Sequence, residues 1–218
     1  MKKILTLLTV VIISLTILHG CETEKKELIN LAIVKEKLKE YHTGGKYNTD
    51  LNRIIKKAIT EFSKITPKEN SLVIFDIDET ALSNYQFALD YDFGYNEEIW
   101  TEWVDSKKAT AISEVKILYD MLIEKGFKVV FLTGRNRSHY DATKENLINE
   151  GYTKFDTLIT RKMDALKTTA VDYKSKERKQ LVENGYIIVG TIGDQLSDLE
   201  GPYHGIQVKL PNYYYIVK

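Results

Sequence analysis

Cysteine is almost missing from this chain: its 218 residues hold one, Cys21, so neither a disulfide within the chain nor a cysteine-rich metal site can form. Net charge is missing too, because 31 Lys and Arg balance 31 Asp and Glu. Without a surplus of either sign there is no global attraction for a polyanion, and a nucleic acid polymer is excluded as the expected partner. Internal repeats and low-complexity stretches are also lacking. What is present is a globular composition, 43% hydrophobic, 11% aromatic and 28% charged, enough to bury a sizeable core in one domain.

The uncharged run from Ile4 to Leu18 is short for a membrane. At about 1.5 Å per residue it spans about 22 Å of a roughly 30 Å hydrocarbon layer. Lys2 and Lys3 before it and Gly20 just before Cys21 instead describe a secretory signal peptide over residues 1–20. Leu18-His19-Gly20-Cys21 resembles a bacterial lipobox, with His19 departing from the small or apolar residue usual there. That resemblance implies lipidation at Cys21, a membrane anchor through the lipid, and an exported bacterial lipoprotein on the periplasmic side of an outer membrane or at the cell surface. The bland alternative is an uncleaved anchor with a free thiol. Loss of residues 1–20 removes Lys2 and Lys3 and leaves the remainder at minus two.

Residues 21–218 read as a single domain, with N-terminal helices over about 22–66 and an insertion over about 82–111. Apolar residues recur at helical spacing between Glu22 and Glu40, and Gly44 and Gly45 break that helix. Leu51, Ile54, Ile55, Ala58, Phe62 and Ile65 form a clearer helical stripe behind Asn48 and Thr49, which suit an N-cap, and Pro67 closes it. Short apolar runs then alternate with amphipathic segments. Ser71–Phe75, Phe127–Leu132, Thr157–Ile159 and Tyr186–Ile192 read as strands buried on both faces. Helices are expected near Ile112–Lys125, Ser138–Glu150 and Lys174–Asn184, each followed by a glycine suited to a left-handed C-terminal cap. The alternation predicts an α/β, doubly wound parallel sheet. Leu82–Ala111, rich in Tyr, Phe and Trp, is too long for a simple loop and is expected to fold as a small cap over the strand ends.

In such sheets the binding crevice lies beyond the C-terminal strand ends. Four of those ends carry chemistry. The first strand runs into Asp76-Ile77-Asp78-Glu79-Thr80, the second into Thr133-Gly134-Arg135; Lys174 is expected to begin the helix after the third, and Gly193-Asp194-Gln195-Leu196-Ser197-Asp198 follows the fourth. Each alone has a structural explanation as a solvated turn or a helix start. Together on one edge they place carboxylates, a hydroxyl and a lysine where a phosphate would be held.

Asp76-x-Asp78-x-Thr80, Thr133, Lys174 and Gly193-Asp194-x-x-x-Asp198 resemble the four ordered motifs of the haloacid dehalogenase (HAD) superfamily. Phe75–Asn84, Glu102-Trp103-Val104, Phe131–Arg135, Tyr173–Arg178, Gly193–Gly201 and Lys209–Ile216 narrow the resemblance to its acid phosphatase subfamily IIIB, which includes plant vegetative storage proteins and bacterial class C lipoprotein acid phosphatases. Tyr213 departs from the proline expected after Asn212. The resemblance implies a Rossmann-like HAD core and an Mg2+-dependent acid phosphatase acting on phosphomonoesters. It implies that Asp76 attacks phosphorus and that Asp78 serves as general acid and base, ligating metal through its backbone carbonyl. Thr133, the Gly134 amide and Lys174 would hold the phosphate. Asp76 and Asp194 would ligate Mg2+, and Asp198 would either be a further ligand or orient Lys174.

Other residues invite weaker readings. Arg135 after a strand is often a surface ion-pair partner, and Lys176, Arg178 and Lys179 read as a solvated helix face. His42, His139 and His204 show no metal-ligand spacing and receive no role. Trp100 and Trp103 read first as cap packing, with stacking on substrate as the sharper alternative. Tyr213, Tyr214 and Tyr215 read as a docked segment covering the sheet edge. The aromatic, base-poor insertion points to aryl phosphates or nucleoside monophosphates as the small-molecule partner. A homodimer stays open, as does a second function, a weakly catalytic or non-catalytic storage or binding protein on the same fold.

Overall fold

The computed structural model describes residues 28–162, 165 and 167–217. The expected signal segment and Cys21 lie outside the described residues. In chain order the elements are α1 (Leu31–Thr43), α2 (Lys46–Ser63), β1 (Ser71–Phe75), β2 (Leu82–Ser83), α3 (Tyr85–Asp90), α4 (Glu97–Ser106), β3 (Thr110–Ala111) and α5 (Ser113–Glu124). They continue with β4 (Lys128–Asn136), a 3-10 turn at Arg137–His139, α6 (Tyr140–Asn149), β5 (Thr157–Arg161), α7 (Ala170–Glu183), β6 (Ile187–Gly193), α8 (Leu196–Leu199) and β7 (Ile206–Lys209).

Five strands form one sheet in the order β5-β4-β1-β6-β7, every neighbouring pair parallel. The two-residue period of a strand sends alternate side chains to opposite faces. Val73 and Phe75 of β1 and Val129 and Phe131 of β4 therefore meet the buried stripes of α2 and α5 on one side. Leu72, Ile74, Val130 and Leu132 meet Tyr173 and Leu181 of α7 on the other. The sheet is thus covered on both faces, as its continuous apolar strands require, and the expected doubly wound α/β core is present.

Several boundaries differ from expectation for local reasons. Gly45, at φ 77°, precedes α2, so Asn48 and Thr49 fall inside the helix rather than at its cap. Helix α7 starts at Ala170 because the Thr169 hydroxyl accepts the Asp172 N–H at 3.1 Å. Lys174 consequently stands in the second turn, not at the helix start. The glycines after α5, α6 and α7 take φ of 85–89° as expected. The edge strand β7 carries little sequence signal, because Ile206-Gln207-Val208-Lys209 is short and alternates apolar with polar residues.

Order reverses at β1, whose two neighbours leave in opposite directions along the sheet, and this reversal opens a crevice at the strand ends. Residues 82 and 111 lie side by side in the antiparallel β2–β3 pair. The intervening α3 and α4 therefore leave the sheet as a closed excursion that returns beside its point of departure, and several of their aromatic side chains line the cavity at those strand ends.

Candidate active site

A cavity of about 550 Å3 opens where β1, β4 and β6 end. Asp76, Asp78, Gly134, Lys174, Asp194 and Asp198 all line it. Asp76 sits just past β1, its amide donating to the Ile192 carbonyl of β6 at 2.9 Å. Thr133 is fully buried beside the cavity, its hydroxyl accepting the Arg135 N–H at 3.1 Å.

The centre of the site is a buried ammonium between two carboxylates. Lys174 Nζ donates to Asp76 Oδ1 at 2.6 Å and to Asp198 Oδ1. Burial works against the charged amine, yet Asp198 and Asp76 together outweigh it and hold the lysine protonated, its pKa raised. Asp76 is pushed well above the ordinary carboxylate range, first by burial and then by Asp198, Asp194 and Asp78, with Lys174 opposing. One ammonium thus faces several buried carboxylates, and the negative charge is undercompensated.

Asp76, Asp194 and Asp198 offer one oxygen each within 4.8 Å of one another. Such hard oxygen donors with excess negative charge fit a divalent cation of the Mg2+ type. Asp194 Oδ2 accepts from Gln195 Nε2 and Asn212 Nδ2, both at 2.6 Å, and its pKa is driven by burial and then Asp198 to about 7. Both oxygens of Asp198 are already engaged, Oδ1 by Lys174 and Oδ2 by the Gln195 amide at 2.8 Å. Glycine is required at position 193, because a Cβ there would lie 2.3 Å from Asp198 Oδ2 and 2.4 Å from its Cβ.

Several residues read as peripheral in the sequence are structural parts of the site. Arg135 is 4% exposed, and its guanidinium grips Asp78 through Nη2–Oδ1 at 2.7 Å and Nε contacts of 3.1 Å to both oxygens. It is not a surface ion-pair partner. Arg178 is fully buried rather than solvated, donating to the Asp198 carbonyl at 2.6 Å and the Pro202 carbonyl at 3.0 Å. Its i,i+4 spacing from Lys174 was the available signal. Lys162 and Lys167 are exposed and lie outside the cavity lining.

The aromatic insertion divides. Phe87, Phe93, Tyr95 and Trp100 face the cavity, whereas Tyr85, Tyr91 and Trp103 line a separate one. Tyr214 and Tyr215 do not cover the sheet edge: they line the cavity at the strand ends, and Tyr215 donates its hydroxyl to Glu79 at 2.9 Å. Glu79 takes φ of 52° and is 5% exposed, and burial and then Asp78 push its carboxyl up to about 7. His42, unassigned in the sequence, is hydrogen-bonded to the Tyr214 hydroxyl and stacks on Tyr85 at 4.0 Å. Burial pushes its pKa down to about 4.

An aspartate just past β1, a buried lysine and an aspartate-rich loop past β6 define, on this sheet, a phosphate-transferring hydrolase of the HAD type. The chain belongs to the HAD superfamily, subfamily IIIB (acid phosphatase), whose family model matches residues 6–217, and it is a phosphomonoesterase. It is 38% identical over 186 residues to acid phosphatase 1 of Solanum lycopersicum, covering 81% of this chain and 72% of that protein. It is 35% identical over 188 residues to a stem 31 kDa glycoprotein of Glycine max, with 84% and 74% covered, and 34% identical over 205 residues to vegetative storage protein 1 of Arabidopsis thaliana, with 89% and 76% covered. The class C acid phosphatase from Bacillus anthracis shares the fold at a TM-score of 0.70 and 19% identity, over 86% of this chain and 87% of that one. These curated relatives from tomato, soybean and Arabidopsis are plant proteins, which overturns the expected localisation as a bacterial lipoprotein. No helix among the described residues is long and apolar enough to cross a membrane.

Proposed function

We propose that the protein hydrolyses phosphomonoesters through an aspartyl phosphate on Asp76. The observation that carries this reading is the buried Asp76–Lys174–Asp198 arrangement at the sheet's reversal point. A carboxylate nucleophile is repelled by a phosphate dianion, so the approach needs positive charge on both. Lys174 supplies it from one side and neutralises the transferring group. Asp76, Asp194 and the carbonyl of Asp78 would hold Mg2+, which when bound offsets the remaining charge and orients the phosphate. Asp198, with both oxygens engaged, acts mainly by orienting Lys174, though its carboxylate stands close enough to ligate as well.

An Asp76 oxygen attacks phosphorus while the bond to the ester oxygen breaks and Asp78 gives that oxygen its proton. The Gly134 amide, the Thr133 hydroxyl and Lys174 hold the phosphoryl oxygens. Water then attacks the aspartyl phosphate, Asp78 takes the water's proton, and Asp76 is regenerated with release of inorganic phosphate.

Substrate choice comes from the wall above this centre. Phe93, Tyr95, Trp100 and Tyr214 supply flat apolar faces, while the basic side chains of the cavity are Arg135, Arg161 and Lys174. Arg135 is committed to Asp78 and Lys174 to the two aspartates. That favours planar leaving groups, aryl phosphates and nucleoside monophosphates, over hexose phosphates and over di- or triphosphates. A second reading, a storage protein with little turnover, is favoured by the similarity to vegetative storage protein 1. Release of phosphate from 4-nitrophenyl phosphate and a nucleoside monophosphate, with Mg2+ or chelator, decides between them. Turnover that needs Mg2+ and vanishes in a folded Asp76→Asn variant supports catalysis, and a wild-type protein without turnover supports storage. A tenfold preference for a hexose phosphate would refute the aromatic wall.

A further inference from the structure

Two of the family motifs, the Asn84 end of Phe75–Asn84 and the Glu102-Trp103-Val104 triplet, take no part in the chemistry above. The structure joins them. Asn84 is 3% exposed, and its side chain is fully used. Nδ2 donates to Asp78 Oδ1 at 2.9 Å and to Glu79 Oε2 at 3.2 Å, and Oδ1 accepts the indole N–H of Trp103 at 2.8 Å. Its backbone N–H adds a bond to Glu79 Oε1 at 2.6 Å. The partners dictate which end of the amide is which. An indole nitrogen can only donate, so the carbonyl end must face Trp103, and the two N–H bonds must face the two carboxylates. Trp103 belongs to α4 of the insertion, so the amide that touches Asp78 is oriented from the cap.

The two oxygens of Asp78 are treated unequally. Oδ1 accepts from Asn84 Nδ2 and from Arg135 Nε and Nη2, the latter at 2.7 Å. Among the described residues, Oδ2 accepts only from Arg135 Nε, at 3.1 Å. Three donors leave no room for a proton on Oδ1. We infer that Asn84, oriented by Trp103, is a positioning residue that pins Oδ1 together with Arg135, so that Asp78 delivers its proton to the leaving group from Oδ2. In that step the phosphorus–oxygen ester bond breaks, its electron pair stays on the ester oxygen, and the proton moves from Oδ2 to that oxygen, leaving Asp78 as a carboxylate. The inference rests on the reading of Asp78 as the general acid. It gives the cap a second task besides lining the pocket, since any shift of α4 that breaks the indole contact frees the amide to rotate.

Leaving-group dependence tests it. Benzyl phosphate and 4-nitrophenyl phosphate present similar rings, but the benzyl alkoxide leaves only with a proton whereas nitrophenolate needs little help. Trp103→Phe, which keeps an aromatic ring on α4 and removes the donor, and Asn84→Ala are expected to lower kcat/KM for benzyl phosphate by about tenfold and for 4-nitrophenyl phosphate by less than about threefold. Equal losses on both substrates, or none, in folded protein would overturn the inference. Trp103→Phe reads the same effect should Asn84→Ala not fold. Asp78→Asn separates the two levels. If it keeps full activity on both esters, the general-acid reading fails. If it loses benzyl phosphate hydrolysis while the other two variants show no leaving-group bias, only the positioning role fails.

Discussion

Replacing Lys174 by methionine removes the ammonium that Asp76 and Asp198 share. Lys174 is 5% exposed, and its carboxylate partners Asp76 and Asp198 are 6% and 2% exposed. Methionine matches the stem of the side chain, so packing is largely retained and the change is electrostatic. Removing one partner of a buried ion pair costs about 3–5 kcal/mol, because the remaining charges are stranded out of water. For a chain of this size each kcal/mol moves Tm by about 2–4 °C, so a fall of about 6–20 °C is expected at pH 7.5 in chelator. The stranded carboxylates regain neutrality by binding protons. The deficit should therefore shrink at pH 4.5, and Mg2+ at pH 7.5 should restore part of it. Catalysis should drop by two powers of ten or more, since an oriented cation at the transferring phosphoryl group is worth about 3 kcal/mol. Thermal melts at both pH values and steady-state kinetics read these effects. A Tm within about 2 °C of wild type, or a deficit identical at both pH values, would refute the charge argument. An activity loss below tenfold would move the catalytic role to another lysine.

Gly193→Ala should destabilise the protein by about 1–3 kcal/mol, read from denaturant melts, because the added methyl occupies the place of Asp198; activity should fall with it as Lys174 loses its second anchor. Burial and then Asp198 push the Asp194 carboxyl from an ordinary 3.8 up to about 7, so the folded state binds its proton more tightly than the unfolded chain. Its contribution to stability therefore declines as pH rises from about 4 to about 7. In chelator, Asp194→Asn should melt close to wild type at pH 4 and above it at pH 7, and Mg2+ should raise the wild-type Tm more at pH 7 than at pH 4. A variant less stable than wild type at pH 7 in chelator would contradict this sign.

The core of the fold was legible because its strands are buried on both faces and advertise themselves as unbroken apolar runs, Ser71–Phe75 above all. Much of the candidate site was legible for a related reason. Asp76 and Asp78, like Asp194 and Asp198, lie close together in the chain just past strand ends, where local sequence is enough to place them. What stayed hidden depends on residues far apart in the chain. Tyr215 meets Glu79 across 136 positions and Tyr214 meets His42 across 172. No periodicity carries such pairings. The burial of Arg135 and Arg178 is hidden because arginine is so often exposed that its type argues against it. In the fold, both are buried with their guanidinium groups fully engaged by acceptors.

The segment after β7 sends Asn212 to Asp194, Tyr215 to Glu79 and Tyr214 into the cavity wall, yet forms no strand or helix of its own. It is a strap laid across the strand ends and fastened by side chains. A strap of that kind can lift without unfolding the sheet beneath it, since the opening breaks a handful of hydrogen bonds and leaves the central strands intact. If Asp194 holds a cation, as proposed, binding of that cation and attachment of the strap are linked through its carboxylate. A cation that keeps Asp194 ionised makes it the better acceptor for Asn212, so its arrival should slow amide exchange along residues 212–217 before it alters exchange in β1.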